Sequence, residues 1–291
     1  MTTRSVAVLS VLALAGVANA EAIIGLRSDN VLVSFDSSTP GTIGGTVAVS
    51  GLQAGENLLG IDLRPATGQV IGLGSSNRLY SINTITGAAT ALGPAFSPVL
   101  DTGVEYGIDI NPTVDRLRVV ASNGGNRRFN PVNGAAVVPL DTNLSYASGG
   151  VPRAVAVAYT NSLAGVPAGS TREYGIDSAN GSLIEIGTMA GGNPSFNGGV
   201  SAIVGALGFT TSDLVGLDIF GPTGNAFVSL TNPTSGFSSF YSLNLSTGAA
   251  TLLGGVGDGS VTLRDFTAVP TPGAAGVLAL GGFAALRRRR A

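Results

Sequence analysis

The chain has 291 residues, 44% of them apolar and 11% charged, with a formal net charge of −2. Its 15 cationic side chains are all arginines, and lysine, histidine, cysteine and tryptophan are absent. A sizeable core is within reach, but imidazole or thiolate catalysis, disulfides, His- or Cys-ligated metals and lysine Schiff bases are excluded, and with no basic run in the body of the chain there is no face for nucleic acid.

Residues 1–20, MTTRSVAVLSVLALAGVANA, carry Arg4, an apolar run from Val6 to Val17 and the small-residue pattern Ala18-Asn19-Ala20. This predicts a secretory signal cut after Ala20. An exported chain without cysteine must draw its stability from packing and closure. Residues 22–50 follow with three strand-like pieces, IIGLR, NVLVSFD and GTVAVS.

Beyond them the chain repeats itself. LYSINTITGAATALG at 79–93 returns as FYSLNLSTGAATLLG at 240–254, with ten of fifteen positions identical. Aligning on the glycine of TGAAT gives Gly41, Gly87, Gly134, Gly181 and Gly248, at spacings of 46, 47, 47 and 67 residues, the last holding an extra Gly/Ser/Asn-rich loop around 188–213. A period in the forties points to a propeller or a solenoid. Apolar residues alternate within each copy, and Asn133-Gly134 and Asn180-Gly181 predict two-residue hairpins.

Upstream of three hairpins stand LLGIDLRPATG (58–68), EYGIDINPTVD (105–115) and LVGLDIFGPTG (214–224), with Asp62 and Asp109 each 25 residues before the glycine that follows. The unit is therefore about four strands, one propeller blade. In the fourth copy AVAVAYTN (154–161) takes the first-strand place, with Ala156 by spacing or Tyr159 by pattern at the aspartate position. The last blade is split, its missing strand supplied by VTLRDFTAV (261–269) with Asp265. The expected fold is an all-β propeller over residues 21–269, with five four-stranded antiparallel blades closed by pairing N-terminal strands with a C-terminal one; closure removes exposed sheet edges.

Residues 270–291 begin with a Pro-rich hinge (Pro270, Pro272), continue as an apolar stretch of thirteen residues from Ala274 to Leu286, and end in Arg287 to Arg290. That stretch is shorter than the roughly 20 residues needed to span a bilayer, and the arginines favour the cytoplasmic side. The tail resembles the PEP-CTERM type of sorting signal, with Thr271 in place of the usual acidic residue. The resemblance implies a sorting peptidase of the exosortase type as a partner, with the tail as the sole, transient membrane contact of a cell-surface or extracellular protein.

GLQAGENLLGIDLRPATGQVIGLGSSNRLYSINTITGAATALG and YGIDINPTVDRLRVVASNGGNRRFNPVNGAAV, followed by VAVAYTNS, resemble the bacterial domain of unknown function 4394 over roughly residues 22–269. The resemblance implies an extracellular, propeller-like repeat domain with no assigned activity.

Asp62, Asp109, Asp218 and Asp265 share the first-strand position and are expected to converge on the channel axis. Crowded carboxylates repel one another unless a cation compensates. One reading is a calcium-type site on Asp62, Asp109 and Asp218, completed by Asn111 or backbone carbonyls. In the other, each aspartate accepts backbone N–H bonds and locks its blade to the next, since a repeated residue at a repeated place serves the repeat. A second constellation, NPTVDRLRVVASNGGNRRFN (111–130), sets Arg116 and Arg118 on one strand face, with Asn126, Arg127 and Arg128 on the next strand and Arg64 and Asn161 at the same end. It is a candidate carboxylate or sulfate site. The alternative is an internal ion-pair network in which Asp109 and Asp115 neutralise the arginines.

Two functions follow: a non-catalytic surface or matrix protein binding an extracellular polysaccharide, a cation or an envelope partner, or a glycan hydrolase using Asp62 with Asp109 or Asp218. Hydrolysis needs two carboxyl groups about 5–10 Å apart in an open cleft. Of the five glutamates, Glu21, Glu56, Glu105, Glu173 and Glu185, none falls at a shared inner-strand position, which weighs against hydrolysis.

Overall fold

The repeated phrase is a turn. In the computed structural model, which describes residues 20–189 and 195–270, the amide of Gly87 donates to the carbonyl of Asn83 at 2.8 Å while the Asn83 side chain accepts the amides of Ile85 and Thr86 at 3.0 Å. Asn244 to Gly248 and Asn232 to Gly236 repeat both features. The asparagine closes the turn with its own side chain, and the fifth residue takes the left-handed conformation that glycine tolerates. These five-residue turns replace the predicted two-residue hairpins, Asn130 to Gly134 among them.

Between the turns the described residues form twenty strands in five sheets. The first sheet contains β1 (Ala22–Arg27), β2 (Val31–Asp36) and β3 (Ile43–Ala48); the second β4 (Leu58–Arg64), β5 (Gln69–Gly74), β6 (Arg78–Ile82) and β7 (Ala89–Ala91); the third β8 (Tyr106–Asn111), β9 (Arg116–Ala121) and β10 (Asn126–Phe129). The fourth holds β11 (Ser145–Tyr146), β12 (Ala154–Tyr159), β13 (Arg172–Asp177), β14 (Ser182–Met189) and β15 (Val200–Ala206), and the fifth β16 (Val215–Ile219), β17 (Ala226–Thr231), β18 (Ser238–Leu243) and β19 (Ala250–Gly255). The last strand, β20 (Leu263–Val269), returns to the first sheet, pairing antiparallel with β1 so that Phe266 faces Gly25 and Ala268 faces Ile23.

The sheets form a five-bladed β-propeller, and the core shows its closure. Five apolar clusters each span one boundary between blades: Leu26 and Leu32 with Leu58 and Ile61; Ile71 and Leu79 with Ile108 and Leu117; Val120 with Val157 and Ile184; Ile176 and Leu183 with Leu217 and Val228; and Phe227 and Phe240 with Phe35 and Phe266. The inner strands β4, β8, β12, β16 and β20 pack on one another around the axis. Flanked by blades on both sides, they read as buried runs such as Val215–Ile219, without the polar–apolar alternation of a half-exposed strand. At the seam, Phe240 meets Phe35, Phe227 and Phe266 with ring centroids 5.0–5.4 Å apart. Such aromatic pairs add about 0.5–1.5 kcal/mol each beyond area burial.

Gly87 also explains why its turn recurs. It adopts φ +75°, and a Cβ there would lie 2.1 Å from the carbonyl oxygen of Ala48 on the preceding blade. The motif glycine lets one blade's outer turn touch its neighbour, where the Ser50 amide donates to the Gly87 carbonyl and the Ser50 carbonyl accepts from the Ala89 amide.

Three expectations are corrected. Gly181 joins the second and third strands of its blade, β13 and β14, whereas Gly41, Gly87 and Gly248 join third and fourth strands. The stretch 188–213 is not an inserted loop alone, because it contains β15, the blade's fourth strand. Blades also depart from four strands: the third has three, extended by a single Phe129–Ala136 bridge, and the fourth gains β11, which pairs parallel to β15. The expected signal at residues 1–20 lies outside the described residues except for Ala20, and the sorting tail lies outside them beyond Pro270.

Candidate functional site

Three inner strands place an aspartate two residues after a glycine, at Gly60-Ile61-Asp62, Gly107-Ile108-Asp109 and Gly216-Leu217-Asp218. The glycine permits close approach: a Cβ on Gly107 would come within 2.4 Å of the Ala156 Cα on the next blade. Asp62, Asp109, Asp218 and Asp265 are all buried, at 1–6% exposure. Each reaches the following blade. Asp265 Oδ2 accepts the Ile61 amide at 2.9 Å, Asp62 Oδ2 the Ile110 amide at 2.7 Å, and Asp218 Oδ2 the Ala268 amide at 2.6 Å. Asp109 accepts the backbone amide of Tyr159 on β12. The fourth blade has no carboxylate here; of its two candidates, Tyr159 supplies that amide and Ala156 lies against Gly107.

Three of the four converge. Asp62, Asp109 and Asp218 each present a carboxylate oxygen within 4.8 Å of the others. Asp265 does not join them; its Oδ2 accepts the Ile61 amide and its Oδ1 the Phe266 amide, each at 2.9 Å. Asp109 Oδ1 is buried with no hydrogen-bond partner. Burial, reinforced by Asp218, pushes the Asp62 carboxyl well above its ordinary range, and burial with Asp62 and Asp218 does the same for Asp109. Burial lifts Asp218 to about 6 and raises Asp265 well above normal.

Thr267, fully buried on β20, ties the group together. Its Oγ1 lies 3.1 Å from Asp218 Oδ2 and 3.3 Å from Asp62 Oδ1, and accepts the Leu63 amide at 3.1 Å. Sequence reasoning missed it, although it lies two residues past Asp265 and so on the same strand face. A cavity of about 520 Å³ opens beside the cluster, lined by Asp62, Asp218, Thr267 and apolar residues including Leu63, Leu163 and Phe220.

The arginines do not assemble into one anion site. Arg118, 1% exposed, directs its donors to Asn126 Oδ1 (2.7 Å), Asp141 Oδ2 (2.5 Å), Asn197 Oδ1 (2.9 Å) and the Tyr159 hydroxyl (3.0 Å), with Glu173 Oε1 at 3.3 Å. Arg128 forks onto Asp141 at 2.6 and 2.7 Å. Arg64 forks onto Asp115, Arg127 donates to the Val99 carbonyl at 2.6 Å, and Arg116 to the Asp115 carbonyl at 2.8 Å. Asn111 accepts from Thr113 in its own turn, and Asn161 donates to the Ser170 carbonyl. The ion-pair alternative named the wrong acids for Arg118: its partners are Asp141 and Glu173, while Asp109 faces Asp62 and Asp218. Asp141 lies between β10 and β11, outside every repeat, so no spacing marked it.

No curated protein matches this sequence. Among solved structures, PorZ, described as an essential bacterial surface component of the type-IX secretion system of Porphyromonas gingivalis, is similar with a TM-score of 0.37 at 11% identity. The match covers 78% of this chain and 27% of that one, so this chain spans about a quarter of PorZ. The domain of unknown function DUF4394 matches residues 31–267, from the start of β2 into β20 and including all four axial aspartates, and the chain belongs to that family.

Proposed function

We propose that this chain is an exported, non-catalytic surface propeller that holds a cation on its axis and engages a glycan or envelope partner. The observation that carries this reading is the meeting of Asp62, Asp109 and Asp218, none of them in an ion pair and Asp109 Oδ1 without a hydrogen-bond partner among the described residues. The three oxygens lie within 4.8 Å of one another, near enough to share one cation, and an all-oxygen donor set suits a hard ion such as calcium. Calcium's six to eight oxygens would include these carboxylates, with the Thr267 hydroxyl, backbone carbonyls and water as further donors. Export is supported by the signal pattern of residues 1–20, and surface placement by the tail at 270–291, where an exosortase-type peptidase would act.

Hydrolysis is the weaker reading. A sugar needs space between acid and nucleophile, whereas these carboxyl groups share hydrogen-bond partners and are almost fully buried. The test is calcium titration of chelator-treated protein, followed by calorimetry and thermal unfolding. Saturable binding lost in Asp62→Asn and Asp109→Asn is expected; no heat and no thermal shift would refute the cation reading.

A further inference from the structure

The 520 Å³ cavity beside the axial acids combines two features that a bare metal ion does not use together. Among the described residues its only ionisable lining side chains are Asp62 and Asp218, both nearly buried, so these walls carry acid and no compensating cation. Arg64, the nearest guanidinium in sequence, is committed to Asp115. The remaining walls are largely hydrocarbon, from Leu63, Leu163, Phe220, Pro222 and Val269, and Leu163 is 40% exposed. Pockets of this size, apolar with a few converging polar groups, suit small organic ligands.

We infer that this cavity binds a small organic ammonium ion, with the ammonium against Asp62 and Asp218 and the hydrocarbon body along Leu63, Leu163 and Phe220. Charge complementarity selects the class. An anionic ligand would meet two acids with no cation beside them, and a neutral one would leave the buried acids uncompensated. A hydrated metal gains nothing from apolar walls, whereas each buried methylene adds to the affinity of an alkylammonium.

This inference goes beyond the calcium reading and does not depend on it. Asp109 belongs to the metal triad but does not line the cavity, so the two ligands share Asp62 and Asp218 and exclude each other.

The experiment is calorimetry on the full chain in chelator, with a series of n-alkylammonium ions from ethyl to hexyl. Affinity should rise about fourfold per methylene until the cavity is filled. An n-alkanol of equal length should bind at least about tenfold more weakly, the difference a charge-assisted hydrogen bond makes. Asp62→Asn should cost the ammonium series a similar factor, and Leu163→Asn, a change in an exposed loop, should flatten the length dependence while leaving calcium titration unchanged. Affinity that is independent of chain length, equal for alkanols, or unaffected by Asp62→Asn would overturn the inference. Loss of calcium binding with the ammonium series intact would remove the metal reading alone; calcium binding without any ammonium binding would remove this one alone.

Discussion

Replacing Asp109 by asparagine should stabilise the cation-free protein. Asp109 is 1% exposed, one oxygen has no hydrogen-bond partner, and its neighbours include Asp62, Asp218 and Glu173. A buried acceptor without a partner costs about 1–3 kcal/mol. The amide keeps an oxygen for the Tyr159 N–H and turns an NH₂ group toward the surrounding carboxylates, so most of that cost is recovered. For a domain near 250 residues, about 1–3 kcal/mol corresponds to a rise in Tm of roughly 2–12 °C. The assay is thermal and urea unfolding at pH 7 in chelator and again with calcium. Wild type should gain stability from calcium, and Asp109→Asn should start higher and gain little. A variant less stable than wild type in chelator, with an undiminished calcium response, would refute both the unmet-acceptor argument and the place of Asp109 in the cation site.

The pH dependence should run opposite to that of a protein held by surface ion pairs. Burial raises the folded-state pKa of Asp218 to about 6 from 3.8, so its contribution is complete below about pH 4 and is lost as pH rises through about 6, a change of about 3 kcal/mol. Burial lifts Glu173 to about 6 in the same direction, so cation-free protein should unfold at a higher temperature at pH 4.5 than at pH 7, roughly, and a flat or rising profile would contradict the assignment. Phe240→Ala removes a fully buried ring that touches Phe227 within its own blade and Phe35 and Phe266 across the seam, and should cost about 3–5 kcal/mol in urea unfolding. Gly87→Ala and Gly236→Ala both place a side chain at φ +75°, but only Gly87 would collide with a carbonyl; Gly236 has open space. The left-handed strain of about 1–2 kcal/mol should be the whole cost at Gly236, with a larger loss at Gly87; equal losses would contradict the blade-contact account.

Blade number and closure were legible because each rests on a repeated local device. The turn glycines counted the blades, and the three strands at 22–50 with the single strand at 261–269 together make one four-stranded blade, which made their pairing the economical solution. The same device misled at Gly181. Five-residue turns of one geometry join first to second strands at Asn111 to Asp115 and Phe220 to Gly224, and third to fourth at Asn83 to Gly87. A turn of that kind identifies a strand change and not which change, so the fourth blade's longer connection between β12 and β13 displaced the alignment by one strand. The third blade's missing fourth strand left no signal either, since its turn at Asn130 to Gly134 is intact.

At the axis, periodicity brought four aspartates to the inner strands, of which three converge, and gave no sign of Thr267 or of which oxygens remain to meet a ligand. The two readings of the aspartates, as locks between blades and as cation ligands, are compatible because a carboxylate has two oxygens. Asp62, Asp109 and Asp218 each satisfy a neighbouring blade's amide and still contribute to the convergent set. Asp265 bonds the amides of Ile61 and Phe266 and stands outside it. Asp62 reaches the amide one residue past Asp109 and Asp218 the amide one residue past Thr267, so on β20 the converging place falls to Thr267 and not to Asp265, whose strand lacks the preceding glycine. The fourth blade breaks the ring of acids altogether: β12 carries alanines where its neighbours carry glycine and aspartate, so no fifth carboxylate stands beside Asp109 to compete for the same space. A symmetric ring of five buried acids would repel itself strongly; three convergent oxygens, one acid turned aside and one position left apolar make a cluster that a single cation can neutralise.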